Sequence, residues 1–327
     1  MSTAFVTGGS GFVGRAIIGE LRAKGHDVRA LARSEAAKSA VREAGADPVA
    51  GDLDDKAALL EGMTGCDVVY HSAAYVKQWG PREEFFRVNV AGTSNMLEQA
   101  RAAGVKTFVH VSTEAVLAGE RPIINADETS PRAEHPAGLY PLTKGLAEEV
   151  VIAANSPAMK TVIVRPRFIW GKGDTTVLPL FVETVKNGLF RWMDGGRYLT
   201  STCHVKNVCE GMLLAAERGR GGNIYFLTDG PPIILRDFLT AMLQTQGVTP
   251  SDKSVPSWLV RGLARALEAM WEPLGIEMDP PITYTAVKLM GEEVTVNDAK
   301  ARRELGYVGR VTRDEGLREL AEQTQTP

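Results

Sequence analysis

The segment that decides the fold is Thr7-Gly8-Gly9-Ser10-Gly11-Phe12-Val13-Gly14. It follows a short apolar run, Ala4–Thr7, that predicts a buried strand, and it opens a helical pattern over Gly11–Lys24. Glycines at this spacing permit a tight turn, let a pyrophosphate approach the backbone and let the helix pack on the strand. Glycine-rich turns also occur for purely structural reasons. Because this one joins a first strand to a first helix, it favours a dinucleotide site with contacts at Gly8, Gly11, Phe12, Val13 and Gly14.

Downstream of this turn, short apolar runs alternate with helical patterns. The further predicted strands are Val28–Ala32, Val49–Ala50, Val68–Tyr70, Phe108–Val111 and Thr161–Val164. Long helical patterns cover about Glu83–Ala103 and Tyr140–Ala154, and Ser34 is placed to cap the helix after the second strand. Apolar strands that alternate with helices predict a parallel sheet covered on both faces. We therefore expect an α/β fold with a Rossmann-type, doubly wound parallel sheet.

The pattern changes after Pro166, and the last hundred residues are mostly helical. Strands are predicted at Tyr198–His204 and Asn223–Leu227, and helices at about Val177–Lys186 and Asn207–Glu217. We expect a dinucleotide-binding core over residues 1–170, to which residues 196–228 return. Residues 171–195 and 229–327 should form a smaller, mostly helical C-terminal lobe for the substrate.

The composition is that of an ordinary globular protein. The 327 residues are 44% hydrophobic and 24% charged, with a formal net charge of −3, which argues against a nucleic-acid partner. The cysteines Cys66, Cys203 and Cys209 are odd in number and lack C-x-x-C spacing, so reduced thiols are expected. The histidines show no metal-ligand spacing, so no metal is predicted. No apolar run approaches about 18 residues and no secretory pattern opens the chain, so we expect a cytoplasmic protein without integral membrane association.

Residues after the second, third and fourth predicted strands bear on the choice of dinucleotide. NAD enzymes usually place an acid at the end of the second strand, on the ribose 2′-hydroxyl. This chain has an alanine there, followed by Arg33, which either pairs with a 2′-phosphate or is a solvated surface arginine. We therefore predict NADP, with NAD as the alternative. Asp52 either accepts from the adenine amino group or caps the next helix, Leu53 supplies an apolar wall, and Ala73 and Ala74 are small enough for the cofactor to lie against the backbone.

The pentapeptide Tyr140-Pro141-Leu142-Thr143-Lys144 places a phenol and an ammonium on one helical face. A free tyrosine has a pKa of about 10, and an adjacent ammonium should lower it toward neutrality. The same lysine could hold the ribose hydroxyls of the cofactor. Such a pair alone is usually solvated surface, but its position after a fifth strand of a dinucleotide fold makes it a candidate for proton transfer.

Ser112 and Thr113 close the fifth predicted strand, at the sheet edge where parallel sheets bind ligands. A hydroxyl there can hydrogen-bond the substrate oxygen that becomes, or ceases to be, a carbonyl. Alternatively, one of the two residues caps a turn. Because strand neighbours point to opposite faces, only one of them is expected to reach the substrate.

Taken together, these residues resemble the extended short-chain dehydrogenase/reductase family, the NAD-dependent epimerase/dehydratase superfamily, over nearly the whole chain. The motifs that carry the resemblance are Thr7-Gly8-x-x-Gly11-x-x-Gly14, Asp52-Leu53, His71-x-Ala73-Ala74, Asn89-Val90-x-Gly92-Thr93, Ser112-Thr113, Tyr140-x-x-x-Lys144 and Arg165-Pro166. The segments Ser201–Val208 and Thr295–Tyr307 look most like its 3β-hydroxysteroid and sterol dehydrogenase branch.

The resemblance implies a Rossmann domain with a small C-terminal substrate lobe. It implies that Tyr140 and Lys144 are catalytic, that Thr113 takes the catalytic Ser/Thr place with Ser112 as its neighbour, that Pro166 lines the nicotinamide and that Asn89 is mainly a structural brace. Two features depart from the branch: no acid ends the second strand, and Leu117-Ala118 stands where an aromatic-glycine pair is usual. They weaken the inference of NAD and of an exact substrate.

We expect an oxidoreductase that interconverts a secondary alcohol and a ketone on an apolar, steroid-like small molecule. The alternatives are a nucleotide-sugar epimerase or dehydratase with tightly bound NAD, in which Arg191 and Arg197 would face a diphosphate, and a non-catalytic dinucleotide-binding protein; a homodimer is left open.

An apolar stripe in the segment Ser257–Leu274 either packs on the core or faces the ligand. Its members are Leu259, Leu263, Leu267, Met270 and Leu274. Trp170, Phe190 and Trp192 are expected over the active site.

Overall fold

The computed structural model describes residues 2–276 and 278–325. Within them the strands are β1 Thr3–Thr7, β2 Asp27–Ala32, β3 Asp47–Ala50, β4 Val68–His71, β5 Thr107–Val111, β6 Ile123–Ala126, β7 Lys160–Pro166, β8 Ile169–Trp170, β9 Trp192–Met193, β10 Leu199–Thr200, β11 Cys203–His204, β12 Asn223–Leu227, β13 Ile233–Ile234, β14 Ser254–Val255 and β15 Val294–Val296.

The helices of the described residues fall between these strands. They are α1 Phe12–Ala23, α2 Glu35–Glu43, α3 Lys56–Met63, α4 Arg82–Phe85, α5 Gly92–Ala102, α6 Leu139–Ala153, α7 Val177–Lys186, α8 Val205–Arg218, α9 Leu235–Gln244, α10 Ser257–Trp271, α11 Tyr284–Met290, α12 Ala299–Leu305 and α13 Arg313–Gln325. A π-helical turn, Phe86–Ala91, joins α4 to α5, and 3-10 turns cover Glu114–Leu117 and Asp194–Gly196.

Seven strands form a parallel central sheet in the order β12-β7-β5-β4-β1-β2-β3. One face is covered by α1 and α8 through apolar side chains such as Ile17 and Met212. The other face is covered by α3, α5 and α6, which contribute Leu59, Met96 and Val151. The doubly wound Rossmann-type sheet predicted from the sequence is therefore confirmed, and its central strands are mostly apolar because both of their faces are buried.

Most predicted elements match the observed ones within a few residues, and Ser34 caps α2 by accepting from the Ala37 N–H at 3.2 Å. Two predictions were wrong. The single helix expected over Glu83–Ala103 is interrupted by the π-helical turn. The strand expected at Tyr198–His204 is split into β10 and β11, which pair in different small sheets: β10 with β13 and β15, and β11 with β8.

A separate apolar core lies in the C-terminal lobe. Trp170, Phe190 and Trp192 are almost fully buried there against Phe238 and Leu239 of α9. The expectation that these three aromatic residues lie over the active site was wrong, because their rings pack edge to face on one another and on α9 instead. They hold the lobe together.

Helix α10 does not bury the stripe that the sequence suggested. Leu259, Leu263, Met270 and Leu274 are each about half exposed or more, whereas Ser257 and Ala264 are the buried positions of the helix. The stripe therefore does not pack on the core, and the alternative that it faces the ligand stays a prediction. Helix α10 contacts α11.

The rest of the chain connects the lobe to the core. Strand β12 is the edge strand of the central sheet beside β7. Helix α12 packs against α8, and Leu305 and Tyr307 join the core cluster on that face.

The division into residues 1–170, 171–195, 196–228 and 229–327 stays a prediction. Among the described residues, no helix combines the length and apolarity needed to cross a membrane, and the three cysteines are buried free thiols.

Candidate active site

The glycine turn between β1 and α1 is closed on itself. The Gly11 N–H donates to the Gly8 carbonyl at 2.9 Å, and Gly8 has a φ of +71°. A Cβ atom on Gly14 would lie 2.0 Å from the same carbonyl oxygen, so only glycine allows helix and turn to approach this closely. The first turn of α1 contains no acid, and its N-cap, Gly11, has no side chain to satisfy the free N–H groups of Phe12 and Val13. This backbone cradle fits the pyrophosphate of a dinucleotide.

Hydroxyl groups fasten the end of β4 beside the glycine turn. The Thr7 hydroxyl is hydrogen-bonded to His71 Nδ1 at 2.7 Å and accepts from the Ala73 N–H at 3.2 Å. A Cβ atom on Gly8 would come within 2.9 Å of the Ala73 nitrogen. Ala73 and Ala74 are partly exposed next to the turn, and the cradle therefore has a flat, side-chain-poor wall.

The residues expected around the adenosine lie at the ends of β2 and β3. Leu53 is buried and packs on Gly92, and the Asp52 carboxylate accepts from the Leu53 N–H at 2.7 Å. The alternative role of Asp52 as a helix cap was wrong, since Asp55 caps α3. Arg33 is exposed directly after β2.

Arg33 lies near Glu84, whose carboxyl also pairs with a second cation, Arg87. The pKa of the Glu84 carboxyl is lowered, mainly by its hydrogen bonds with Arg87 and to a smaller extent by the charge of Arg33. The Arg87 guanidinium is engaged by Glu84 and Asp54. The Arg33 guanidinium is exposed to solvent, whereas that of Arg87 is engaged by acids.

Lys144 lies deep at the carboxyl end of β5. Its ammonium group donates to the Val111 carbonyl at 2.8 Å and contacts His110 Nε2 at 3.0 Å. Burial lowers the pKa of Lys144 to about 8, against an opposing effect of the Glu148 charge. Burial and the Lys144 charge also hold the pKa of His110 well below its usual range, so this imidazole is neutral and accepts from the ammonium.

Tyr140 lies one helical turn before Lys144, at the start of α6. Its phenol lies close enough to the Thr113 hydroxyl for that group to affect the pKa of the phenol. The expected lowering of its pKa by Lys144 is not seen in the structure. Burial raises the pKa of Tyr140 well above its usual value, the Glu114 charge raises it further, and the Thr113 hydroxyl opposes both. The lysine ammonium is instead hydrogen-bonded to His110 and to the Val111 carbonyl.

Ser112 and Thr113 point to different partners, as alternation along a strand requires. The Ser112 hydroxyl donates to Glu148 at 2.5 Å, and Glu148 is in turn held by Arg165. The Thr113 hydroxyl instead meets Tyr140 and accepts from the Ala115 N–H at 3.2 Å. Thr113 therefore caps the 3-10 turn and adjoins the phenol, whereas Ser112 is engaged by the Glu148–Arg165 pair.

Two residues of the site were missed by the sequence reasoning. Glu114 follows Thr113 directly and accepts its hydroxyl proton at 2.9 Å. Arg167 bonds the other Glu114 oxygen at 3.0 Å, and both side chains are only 4% exposed. Arg167 also donates to Thr200 and to the Leu289 carbonyl, so it joins the site to the lobe. An acid after the hydroxyl pair and a second arginine after Arg165-Pro166 were the available signals.

Asn89 braces the site from the π-helical turn. Its side chain accepts from the Tyr75 N–H at 2.7 Å and donates to the Tyr75 carbonyl at 3.2 Å and to the Thr143 hydroxyl at 3.0 Å. The π-helical turn thus directs one buried amide at both the segment after β4 and helix α6. Pro166, the last residue of β7, is buried beside Leu227 of β12.

Two hydrogen bonds clasp the segment after β4 to the segment between α10 and α11. The Trp79 indole donates to the Ile276 carbonyl at 2.8 Å, and Thr283 donates to the Gln78 side chain at 2.6 Å. Thr285 of α11 donates to the Ala137 carbonyl just before α6. The lobe therefore closes over the same edge of the sheet that carries the glycine turn and Tyr140.

The arginines considered for a sugar-nucleotide diphosphate are not gathered at this edge. Arg191 donates to the carbonyls of Gly188 and Phe190 in its own loop, and Arg197 is exposed beyond β9. Neither is hydrogen-bonded to any of the catalytic candidates.

Comparison with known proteins agrees with this geometry. The family model described as 3-beta hydroxysteroid dehydrogenase/isomerase matches residues 5–257. The chain is 52% identical to the 4-hydroxy-2-methyl-3-oxo-4-farnesyl-3,4-dihydroquinoline-1-oxide ketoreductase of Stigmatella aurantiaca, covering 96% of this chain and 94% of that protein. It is 32% identical to the decarboxylating sterol-4-alpha-carboxylate 3-dehydrogenase of Dictyostelium discoideum, over 98% and 100% of the two chains. The dTDP-glucose 4,6-dehydratase of Streptomyces venezuelae, solved with NAD bound, shares the fold at a TM-score of 0.75 with 24% identity, over 98% and 96% of the chains.

Proposed function

The chain belongs to the 3-beta hydroxysteroid dehydrogenase/isomerase family, and from that premise we propose that it reduces a ring ketone to a secondary alcohol on a large apolar molecule. It is an enzyme of the extended short-chain dehydrogenase/reductase type and uses a nicotinamide dinucleotide. The same site would catalyse oxidation of the matching alcohol, because both directions pass through one transition state. The direction in use depends on cofactor supply.

The proposed substrate is a ring ketone that carries a long apolar substituent or a sterol-like skeleton. The relative with 52% identity is named for a farnesylated, 3-oxo dihydroquinoline, and the relative with 32% identity for a sterol. Both names describe large apolar molecules with an oxygen function on a ring. The engagement of Arg191 within its own loop supports the same choice, since it leaves that guanidinium bound to carbonyls.

The observation that carries the proposal is the position of Tyr140 one helical turn before Lys144 on α6, with the Lys144 ammonium bonded to the Val111 carbonyl at the edge of the sheet that also holds the glycine turn. A reduced nicotinamide, when bound, supplies a hydride to the carbonyl carbon of the ketone. As the π electrons move onto the carbonyl oxygen, Tyr140 donates its phenol proton to that oxygen, and solvent later restores the proton. Gly8, Gly11 and Gly14 would hold the pyrophosphate, and Lys144 the ribose.

Replacement of Tyr140 by Phe tests this assignment. We expect kcat/KM for a panel of prenylated and sterol-like ketones to fall by at least about 100-fold, because the acid catalyst is lost. The dinucleotide dissociation constant should change less than about threefold, since the phenol serves only the chemistry. Turnover within tenfold of the parent would show that the assignment is wrong. Tyr225→Phe, which removes a hydroxyl bonded to Glu304 on edge strand β12, is the matched control and should leave turnover unchanged.

For the cofactor, we propose NADP in preference to NAD. The support is the exposed guanidinium of Arg33 after β2, together with the absence of an acid at the end of that strand. Arg33→Ala should lower the preference for NADP, measured as the ratio of the two dissociation constants, by about tenfold or more. Arg42→Ala, at an exposed arginine of α2, should leave the ratio unchanged. A parent protein that prefers NAD would contradict the proposal.

A further inference from the structure

A buried histidine to which the proposed chemistry gives no role is bonded to Lys144. His110 lies on β5 with only 1% of its surface exposed, and its Nε2 atom is 3.0 Å from the Lys144 ammonium nitrogen. The same ammonium donates to the carbonyl of Val111, the next residue of the strand, at 2.8 Å. Two adjacent residues of one strand therefore hold a lysine side chain that comes from α6.

The chemistry of the two groups fixes the direction of this hydrogen bond. An ammonium only donates, so Nε2 of His110 is the acceptor and the proton of the neutral ring lies on Nδ1. Within the part of the chain that the structure describes, the buried Nδ1 atom has no hydrogen-bond partner. A buried donor without an acceptor is unfavourable. The contact with Lys144 is therefore the hydrogen bond through which this polar side chain acts.

The two contacts leave one donor of the lysine for a ligand. An ammonium has three N–H groups, and the imidazole and the strand carbonyl accept from two of them. A lysine side chain is long and flexible, so it would otherwise lose conformational freedom when a ligand binds. Holding it in place beforehand removes that cost from the binding step.

We propose that His110 is a positioning residue for Lys144: its imidazole fixes the ammonium at the end of β5, so that the third N–H is ready for a ribose hydroxyl of the dinucleotide. The inference rests on the proposed function, in which Lys144 holds the ribose. His110 acts on the cofactor through Lys144 and needs no contact of its own with it.

The other titratable groups near the ammonium have partners elsewhere. His71 on β4 lies 5.2 Å from the His110 ring, centroid to centroid, and its two nitrogens are bonded to threonines of β1 and α5. Glu148, one turn further along α6, raises the pKa of Lys144 by its charge, but its carboxylate is bonded to Arg165. The imidazole of His110 is thus the side chain that accepts directly from the ammonium.

The first test is dinucleotide binding, measured by calorimetry with NADPH and with NADH. His110→Leu should raise the dissociation constant about tenfold, because the ammonium is no longer held in place. His110→Asn, whose shorter side chain ends near the position of Nδ1, should behave alike and serves if the leucine variant does not fold. His110→Gln keeps an acceptor at the end of the side chain and should bind within about threefold of the parent. Phe108→Leu, at a fully buried ring of the same strand, is the matched control and should bind as the parent does.

A double variant shows whether the lysine carries the effect. In the Lys144→Met background, His110→Leu should change the dissociation constant less than about twofold, because no ammonium is left to be positioned. A tenfold effect that persists without the lysine would mean a general distortion of β5 and would overturn the proposal. Parent-like binding by the folded His110→Leu protein, while Lys144→Met binds weakly, would do the same.

A second measurement needs neither dinucleotide nor ketone. It is a carbon-13 NMR titration of the protein labelled at the lysine Cε atoms, in which the Lys144 signal is identified by its loss in Lys144→Met. In His110→Leu the midpoint of this signal should fall by roughly one pH unit, because the ammonium loses an acceptor, and His110→Gln should restore it. An unchanged or higher midpoint in the folded leucine variant contradicts the positioning role. A midpoint that falls as expected, in a protein whose Lys144→Met variant binds dinucleotide as tightly as the parent, contradicts the ribose contact of the proposed function and supports the hold of His110 on the lysine.

Discussion

The ammonium group of Lys144 is held away from solvent by His110 and the Val111 carbonyl. Its pKa is about 8 in the folded chain, against 10.5 for a free lysine. Between those values the unfolded chain binds a proton that the folded chain does not. The folded state therefore loses stability as the pH falls from about 10.5 to about 8, and the full loss persists below pH 8. The residue proposed to hold the ribose of the cofactor is thus a source of instability.

Replacement of Lys144 by Met should reveal this loss. We expect the cofactor-free variant to be more stable than the parent at pH 7. The difference in free energy of unfolding, variant minus parent, should be larger at pH 7 than at pH 10 by about 2 kcal/mol. Urea unfolding at the two pH values measures the difference. Lys24→Met, at an exposed lysine after α1, should show no such dependence. Equal differences at both pH values in the Lys144 variant would contradict the burial argument.

At the scale of elements, two glycines of α1 differ in the space that a side chain would find. Gly14 lies at the junction with β1, and Gly19 lies further along the helix. A Cβ atom at Gly14 would overlap the Gly8 carbonyl at 2.0 Å, whereas at Gly19, on the same helix, no atom lies within 4 Å of that Cβ. Gly14→Ala should force the turn apart and weaken dinucleotide binding at least about tenfold, as measured by calorimetry. Gly19→Ala should leave binding unchanged and stabilise the helix by about 0.5–1 kcal/mol. Tight binding by the Gly14 variant would show that the cradle does not hold the pyrophosphate.

The elements themselves were predictable where one local signal dominates. Strands of the central sheet were found because both of their faces are apolar, and the glycine turn because its spacing is local. The π-helical turn at Phe86–Ala91 was not, and the hydrogen bonds of its Asn89 reach Tyr75 and Thr143, which are 14 and 54 residues away along the chain. Glu114 and Arg167 were missed for the same reason: 53 residues separate them, and no helical or strand periodicity in the sequence connects the two.

At the scale of the whole molecule, the lobe has its own core, and α10 contributes little to it. Leu239 of α9 is 1% exposed and Leu263 of α10 is 53% exposed. We expect Leu239→Ala to lower the free energy of unfolding by about 2–5 kcal/mol and Leu263→Ala by less than about 0.5 kcal/mol. Denaturant unfolding of the two variants makes the comparison. A large effect at Leu263 would restore the buried stripe that the sequence pattern suggested and the structure does not contain.

The clasp between the two segments has a consequence for how fast a bulky molecule enters and leaves. It consists of two hydrogen bonds, from Trp79 to Ile276 and from Thr283 to Gln78. Two such bonds contribute about 1–3 kcal/mol in total, so on their strength alone between about one molecule in 160 and about one in six would be open at any moment. Segment motions of this kind take nanoseconds to microseconds. For the substrate proposed above, an opening this fast would not limit exit between the two segments, and contact of a long apolar substituent with the lobe would set its residence time.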